Sequence, residues 1–426
     1  MDFIPVTEEE AREMLHEAGF SSFDALLSHI KPKLGRKLLL PDGVDEKALL
    51  EKMQEIAKLN KPMKYFVGSG SYWHYIPAAV EKIVARAEFY TAYTPYQPEI
   101  SQGILQAIYE YQTLICLLTG MQASNASLYD GASAVPEAVN MARYIKSKPN
   151  VYAAGLFEHY EQVLKTYAEA TGYKVFEEHQ LEQDEASICA VIVQYPDKNG
   201  ELRDLKQYKK LAEEKDALFI VVLGDPTMLG ILKPPSEFGA DIVVGDAQAF
   251  GNHVAFGGPY VGYISTKEEF VKYLPGRISG KTLDTHNKSG YMLTLQAREQ
   301  HIRRHKALSN ICSNQALCAL ATTAYLGIMG KTGLKTVGKL NLYNAHLLAN
   351  KLRDLGLQIK TKNFYNEFTI SLEGKGVGSS WLIKELAKKS FLFGHKIGKN
   401  NIVVCATEMN TREQIDELVE HLSQTL

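Results

Sequence analysis

Four stretches carry side chains whose types and spacing can do chemistry, and a fifth is notable for what it lacks. Tyr93-Thr-Pro-Tyr-Gln-Pro-Glu-Ile-Ser-Gln-Gly103 holds two prolines, Pro95 and Pro98. They fix their own φ angles and push Thr94 and Gln97 towards extended conformations, so the loop is stiff. Tyr93, Tyr96, Gln97, Glu99, Ser101 and Gln102 can then wall a site and orient polar groups, or form a rigid surface connector. Asn125-Ala-Ser-Leu-Tyr-Asp-Gly-Ala-Ser-Ala134 leads into a helix over about 135–145. Small residues there leave backbone N–H groups free for an anion, unless Ser133 simply caps the helix. Asp225 follows the apolar run LFIVVL at 218–223, at the carboxyl end of a strand, where open α/β sheets bind ligands. Arg303 and Arg304 can pair bidentately with carboxylates, although so charged a run, 298–307, also suits a solvated helix face. From Pro234 to Thr266 there is no lysine at all.

The elements that must position these residues read as an α/β protein. Runs at 151–154, 174–176, 189–195, 218–223, 241–245 and 260–264 have strand patterns and alternate with helices over 160–171 and 204–215. That alternation predicts a mainly parallel sheet covered on both faces. Ile104, Ile108, Tyr111, Ile115 and Leu118 share one face of a helix that stops at Gly120. Three helices precede the sheet, over 7–18 (Thr7 as N-cap, Glu10 three residues on), 23–30 and 45–58. After about residue 317 helices over 314–328 and 334–355, strand runs near 358, 367 and 401, and helices over 380–388 and 411–426 suggest a small α+β domain. The expected division is an N-terminal helical extension, 1–64, a large α/β domain, 65–312, and the small C-terminal α+β domain, 313–426. Two glycine-rich stretches carry little: Gly68-Ser-Gly70 has no P-loop lysine after it, and Ser279-Gly-Lys-Thr282 lacks the earlier glycine of a nucleotide loop.

An acidic residue closing one strand, a second strand, then Gly257-Gly258, resembles the aminotransferase-like fold that holds pyridoxal phosphate (PLP). In such a site Asp225 would partner the pyridinium nitrogen, the turn at Ser133 would seat the phosphate, and His159 falls where an aromatic ring often stacks on the cofactor. The Schiff-base lysine would follow the second strand. Here that position reads Gly245-Asp-Ala-Gln-Ala-Phe-Gly251. This phrase with Ala255-Phe-Gly-Gly-Pro-Tyr260, the 93–103 loop, and Arg298-Glu-Gln-His-Ile-Arg-Arg-His-Lys-Ala307 with 309–315 resemble the α-subunit of the two-subunit glycine decarboxylase, the P-protein of the glycine cleavage system. The sister β-subunit of that family carries a His-Lys pair where this chain has Gln248 and Ala249. His305 stands where the family usually has an acidic residue, and the resemblance implies that segment 65–71, with His74 nearby, begins the active-site entrance.

The resemblance spans essentially the whole chain. It implies a PLP-transferase-type subunit of glycine dehydrogenase (decarboxylating) with no catalytic residue and no covalently bound PLP of its own. PLP would sit on a partner β-subunit, in an α2β2 assembly, and the aminomethyl group of glycine would pass to the lipoyl arm of the H-protein. A stand-alone PLP enzyme using another lysine and a purely structural partner are the two other readings. The composition agrees with an enzyme subunit: of 426 residues, 45% are hydrophobic and 23% charged, with a net charge of -2. That charge gives no electrostatic reason to expect nucleic acid or an anionic membrane. Five cysteines without metal-ligand spacing read as free thiols in a reducing compartment, with no metal site. An acidic N-terminus and the absence of a long apolar helix lead to the expectation of a cytoplasmic protein.

Overall fold

Apolar runs buried on both faces make the central sheet. In the computed structural model, which describes residues 6–30, 40–178, 187–255, 257–312 and 314–426, seven strands form it. They are β1 (Ala123–Ser124), β2 (Asn150–Ala154), β3 (Val175–Phe176), β4 (Ile188–Tyr195), β5 (Leu218–Leu223), β6 (Ile242–Asp246) and β7 (Gly262–Thr266). Their spatial order is β1-β7-β6-β5-β4-β2-β3. β3, β2, β4, β5 and β6 run parallel, as the alternation with helices predicts. β7 runs antiparallel to both β6 and β1. The described residues of the connection 247–261 contain no helix, and a parallel return normally needs one.

All six residues of β5 are buried, and the pleat divides them between two cores. Phe219, Val221 and Leu223 pack with Tyr111, Ile115, Leu205, Ala319 and Tyr325 on one face. Leu218, Ile220 and Val222 pack with Val135, Val139, Leu164 and Ile264 on the other. The flanking helices are Gln102–Thr119, Leu205–Glu214 and Ala316–Asp354 on the first face, and Gly131–Lys146 and Glu158–Thr171 on the second. Ala316–Asp354 is broken at Gly330 (φ 55, ψ -170), close to where the sequence separates two helices.

A second, antiparallel sheet contains β8 (Gln358–Ile359), β9 (Glu367–Ser371), β10 (His395–Ile397) and β11 (Asn401–Cys405), in the order β8-β9-β11-β10. Its core joins Phe368, Ile370, Ile402 and Val404 to Leu382, Leu386, Ile415 and Leu418 of two covering helices. Lys64–Phe66 pairs in parallel with Phe391–Phe393 and so brings the start of segment 67–75 beside this sheet. A hairpin of Ser279–Leu283 and Ser289–Leu293 was not foreseen. It occupies the stretch that imitates a nucleotide loop.

Backbone contacts separate Met1–Lys61 from Pro62–Leu426. Within the first unit, helix Glu8–Glu17 has the expected capping box: Glu10 N–H donates to Thr7 Oγ1 at 3.2 Å, and Thr7 N–H to Glu10 Oε2 at 2.8 Å. Phe23–Leu26 is a single turn, shorter than expected, and Glu46–Lys58 is capped by Asp45. No helix among the described residues is long and apolar enough to cross a membrane.

Candidate functional site

The carboxyl ends of β4, β5 and β6 face segment 67–75 and residues flanking the second sheet, among them Asn366 and Glu408. Asp225, just past β5, is 1% exposed, and four donors of the chain itself use both its oxygens. Thr227 N–H and Oγ1–H donate to Oδ1 at 2.9 and 2.7 Å. Asn366 Nδ2 and His74 Nε2 lie 2.6 and 3.0 Å from Oδ2. The other imidazole nitrogen, Nδ1, lies 2.8 Å from Glu408 Oε2. Burial alone would lower the pKa of His74, but the carboxylates of Asp225 and Glu408 outweigh it and push it up to about 10. His74 is therefore an imidazolium between two carboxylates, with both N–H groups donating. Burial opposes ionisation of Asp225, yet His74 and Thr227 hold its carboxyl below the usual range.

Segment 68–74 is fastened along its length. Tyr72 N–H donates to Gln248 Oε1 at 2.9 Å, and Gln248 Nε2 donates back to Tyr72 O at 3.0 Å. Tyr72 OH donates to Glu367 Oε2 at 2.7 Å, and Ser69 N–H to Glu367 Oε1 at 2.5 Å. Burial pushes Glu367 up to about 7 against these two bonds. His159, exposed at its outer side, stacks on Phe157 (5.6 Å, 9°) and meets Tyr160 edge-on at 4.7 Å. Gly70 runs close to this ring: its φ is +99°, and a Cβ there would come within 3.1 Å of the imidazole.

The turn expected to seat a phosphate is closed by carboxylates. The helix begins at Gly131, earlier than predicted, and its cap is Asp130 rather than Ser133: Ser133 N–H donates to Asp130 Oδ1 at 2.7 Å. Gly131 N–H donates to Asp246 Oδ2 at 2.9 Å. A Cβ at Gly131 would lie 2.2 Å from Tyr160 OH, so the backbone is pressed against that ring. Burial raises Asp246 to about 6, and the N–H groups of Gly131, Gln248 and Val261 pull the other way.

These residues do not fit PLP. Both Asp225 oxygens are taken, the first N–H groups of the helix face two carboxylates that would repel a phosphate, Gln248 is committed to the Tyr72 backbone, and Ala249 offers no amine. The structure thus brings Asp225, Gln248 and His159 together around segment 68–74, which fills the space between them. Of the residues that close the site, the sequence reading pointed only to His74, beside the expected entrance at 65–71, and not to Glu408, Asn366, Tyr72 or Glu367. Among the described residues no cluster of His, Cys, Asp and Glu could hold a metal ion.

The loop 93–102 lies elsewhere on the surface and faces outwards. Pro95 is buried beneath it, while Tyr93 and Tyr96 are 74% and 48% exposed. Their rings stand 6.5 Å apart, and Tyr96 meets His301 edge-on at 6.4 Å. Gln97 and Glu99 are exposed, with no side-chain hydrogen bond to a described residue, and Ser101 is partly buried. Gln102 departs from the expected role. Its amide accepts from Tyr291 N–H at 2.8 Å and donates to Tyr291 O at 2.8 Å and Pro98 O at 2.7 Å, fixing the loop to the hairpin. A cavity of about 210 Å³ lies under the loop, lined by Tyr90, Tyr93, Pro95, Ile104, Asn314 and Leu317. Two of the stretches singled out by their sequence therefore meet there. Arg303 and Arg304 are exposed and make no ion pair with a described residue, so they remain free for an anion.

The model of the glycine cleavage system P-protein family matches residues 1–422. The chain is 42% identical to the probable glycine dehydrogenase (decarboxylating) subunit 1 of Chlorobium limicola, over 99% of this chain and 100% of that one. It is also 42% identical to the protein of the same description in Staphylococcus carnosus, over 99% and 98%. A glycine decarboxylase (P-protein) of the glycine cleavage system, crystallised in inhibitor-bound form, superposes with a TM-score of 0.92 at 41% identity over 100% of both chains. A cysteine desulfurase from Thermococcus onnurineus NA1 superposes with a TM-score of 0.61 at 14% identity, over 91% of this chain and 99% of that one. The last likeness concerns the fold alone, and with the first it places the chain in the aminotransferase-like α/β class of PLP-dependent transferases.

Proposed function

The chain belongs to the glycine cleavage system P-protein family, and from that premise we propose that it is the cofactor-free α-subunit of a glycine dehydrogenase (decarboxylating). It completes the pocket of a lysine-bearing β-subunit in an α2β2 assembly. PLP on that partner supplies the electron sink for decarboxylation of glycine, and the H-protein lipoyl arm receives the aminomethyl group. The observation that carries the reading is a contrast: the chain's own cofactor space is filled by Tyr72 and His74, while a stiff, tyrosine-bearing loop points outwards. A half-site of this kind serves only when a second chain covers it. The cytoplasmic location belongs to the same proposal.

In this assembly the chain's residues bind, orient and exclude water. Tyr93 and Tyr96 wall the approach to the partner's cofactor, and Gln97 and Glu99, with no side-chain hydrogen bond to a described residue, orient polar groups beside it. Ser101 borders the wall and Gln102 anchors it. Arg303 and Arg304 contribute positive charge close in sequence to His301, whose ring meets Tyr96 edge-on. Because two prolines fix the loop beforehand, little ordering cost falls on substrate arrival.

Mixing the chain with its lysine-bearing homologue is expected to give a stable complex that buries on the order of 2,000 Å² or more, as obligate interfaces do. Equimolar sedimentation showing only separate species would count decisively against the assembly. Within that complex, Tyr96→Phe keeps the ring and removes the hydroxyl. If the hydroxyl makes one hydrogen bond in the transition state, turnover falls about tenfold with assembly unchanged. A purely structural role of the loop, the competing reading favoured by the anchoring of Gln102, predicts unchanged turnover for both Tyr93→Phe and Tyr96→Phe.

A further inference from the structure

We propose that Arg277 is the positioning residue that aims the Tyr96 hydroxyl into the shared site, an assignment that rests on the reading of Tyr96 given above. Arg277 is 2% exposed and follows Gly276, whose φ of +77° turns the chain inward. Its Nη2 donates to Tyr96 OH at 2.9 Å, and the guanidinium carbon lies 5.2 Å from the centre of the Tyr96 ring. Nη1 donates to the backbone oxygen of Cys312, and Nε lies 3.9 Å from a carboxylate oxygen of Glu299, itself 5% exposed. The backbone of Arg277 accepts from Ala126 N–H at 2.8 Å. One residue thus ties together three stretches that stand apart in the sequence: 93–102, 125–134 and 298–315.

The direction of these bonds decides what Tyr96 can do. A phenol oxygen that accepts from a buried cation must turn its own proton away from that cation. Tyr96 is half exposed, so the proton is presented outwards as a donor. Accepting a charge-assisted bond also polarises the O–H and strengthens its donation. The edge contact from His301 and the guanidinium over the ring hold the phenol, and the bond from Nη2 sets the hydroxyl direction. A planar guanidinium fork holds Tyr96 and the Cys312 carbonyl at once while its charge sits beside the Glu299 carboxylate. A lysine ammonium keeps the charge but not that fixed fork.

The test is a double-mutant cycle in the assembled two-subunit complex: Arg277→Lys, Tyr96→Phe and the pair, with kcat, KM for glycine and sedimentation measured for each. Arg277→Lys is expected to lower kcat severalfold, up to the roughly tenfold loss of Tyr96→Phe, with KM for glycine within about twofold. In the Tyr96→Phe background it should cost nothing further, since the hydroxyl through which it acts is gone. Losses that multiply, or a kcat untouched by Arg277→Lys, would overturn the assignment while leaving Tyr96 in its role. A Tyr96→Phe complex with full turnover would instead overturn the reading of the loop and this assignment with it. If Arg277→Lys does not assemble, Arg277→Gln, which keeps a planar N–H donor, takes its place with the same expected pattern.

Discussion

Restoring lysine at position 249 is expected to destabilise the chain and to leave it unable to hold PLP. Ala249 is 2% exposed, between the fully buried Ala247 and Phe250 regions of the loop after β6. An ammonium placed there enters a buried site whose polar groups are already engaged. The carboxylate of Asp246 already takes N–H groups from Gly131, Gln248 and Val261, and Gln248 is paired with Tyr72. Burying the charge, or neutralising it by loss of a proton, costs roughly 3 kcal/mol or more. The cofactor gains nothing in return, because Asp225 is occupied by His74 and the phosphate turn faces Asp130 and Asp246. Urea unfolding of Ala249→Lys should show a clearly lowered midpoint, and borohydride reduction after incubation with PLP should fix no cofactor on residue 249. A variant of normal stability carrying reduced PLP at that position would sink the view that the site is filled by the chain itself.

What the sequence made legible were features whose cause is local. The apolar run 218–223 can only be a strand buried on both faces, and it is. Pro95 and Pro98 stiffen their loop wherever it lies, and a missing lysine is missing in any fold. The direction of β7 was not legible, since it depends on how the connection 247–261 returns rather than on the strand's own residues. The hairpin 279–293 was hidden because its short, half-exposed strands carry no apolar alternation strong enough to read. Gln102 looked like a site residue because its type suits one, and its partner Tyr291 is 189 residues away.

The same holds more sharply for the buried charges. Asp225 was found from its place at a strand end, but its partners were not. His74 lies 151 residues from Asp225 and 334 from Glu408, and no local pattern joins them. The one available signal was a histidine amid aromatic residues, Tyr72-Trp-His-Tyr75, where an ionisable group needs a partner if it is buried. Such a signal says that a partner exists, not which one. The filled cofactor space therefore came from the tertiary structure, although the absent lysine already pointed to a site that had lost its use.

His74→Leu is expected to be the most damaging single substitution in this region. It leaves the fully buried Asp225 without its cation and Glu408 without the N–H that it accepts, and removing one partner of a buried ion pair costs roughly 3–5 kcal/mol. The pH dependence identifies the cause. The folded pKa of His74, about 10, lies above the unfolded value near 6.5, so its stabilisation is complete below about pH 6.5 and is lost as pH rises through about 10. The folded pKa of Asp225 is depressed, so its share is present above about pH 4 and is lost as pH falls through the folded value. The stability difference between wild type and variant should therefore be greatest from about pH 4 to 6.5 and shrink towards pH 10. Asp246 and Glu367, with folded pKa values raised to about 6 and about 7, destabilise both proteins as pH rises through that range and cancel in the difference. Adding Asp225→Asn to His74→Leu removes one orphaned charge and should recover part of the loss. Urea unfolding of the three chains across this range decides the matter: a difference that does not vary with pH, or a double variant no more stable than His74→Leu, would mean that the imidazole packs the site without carrying charge.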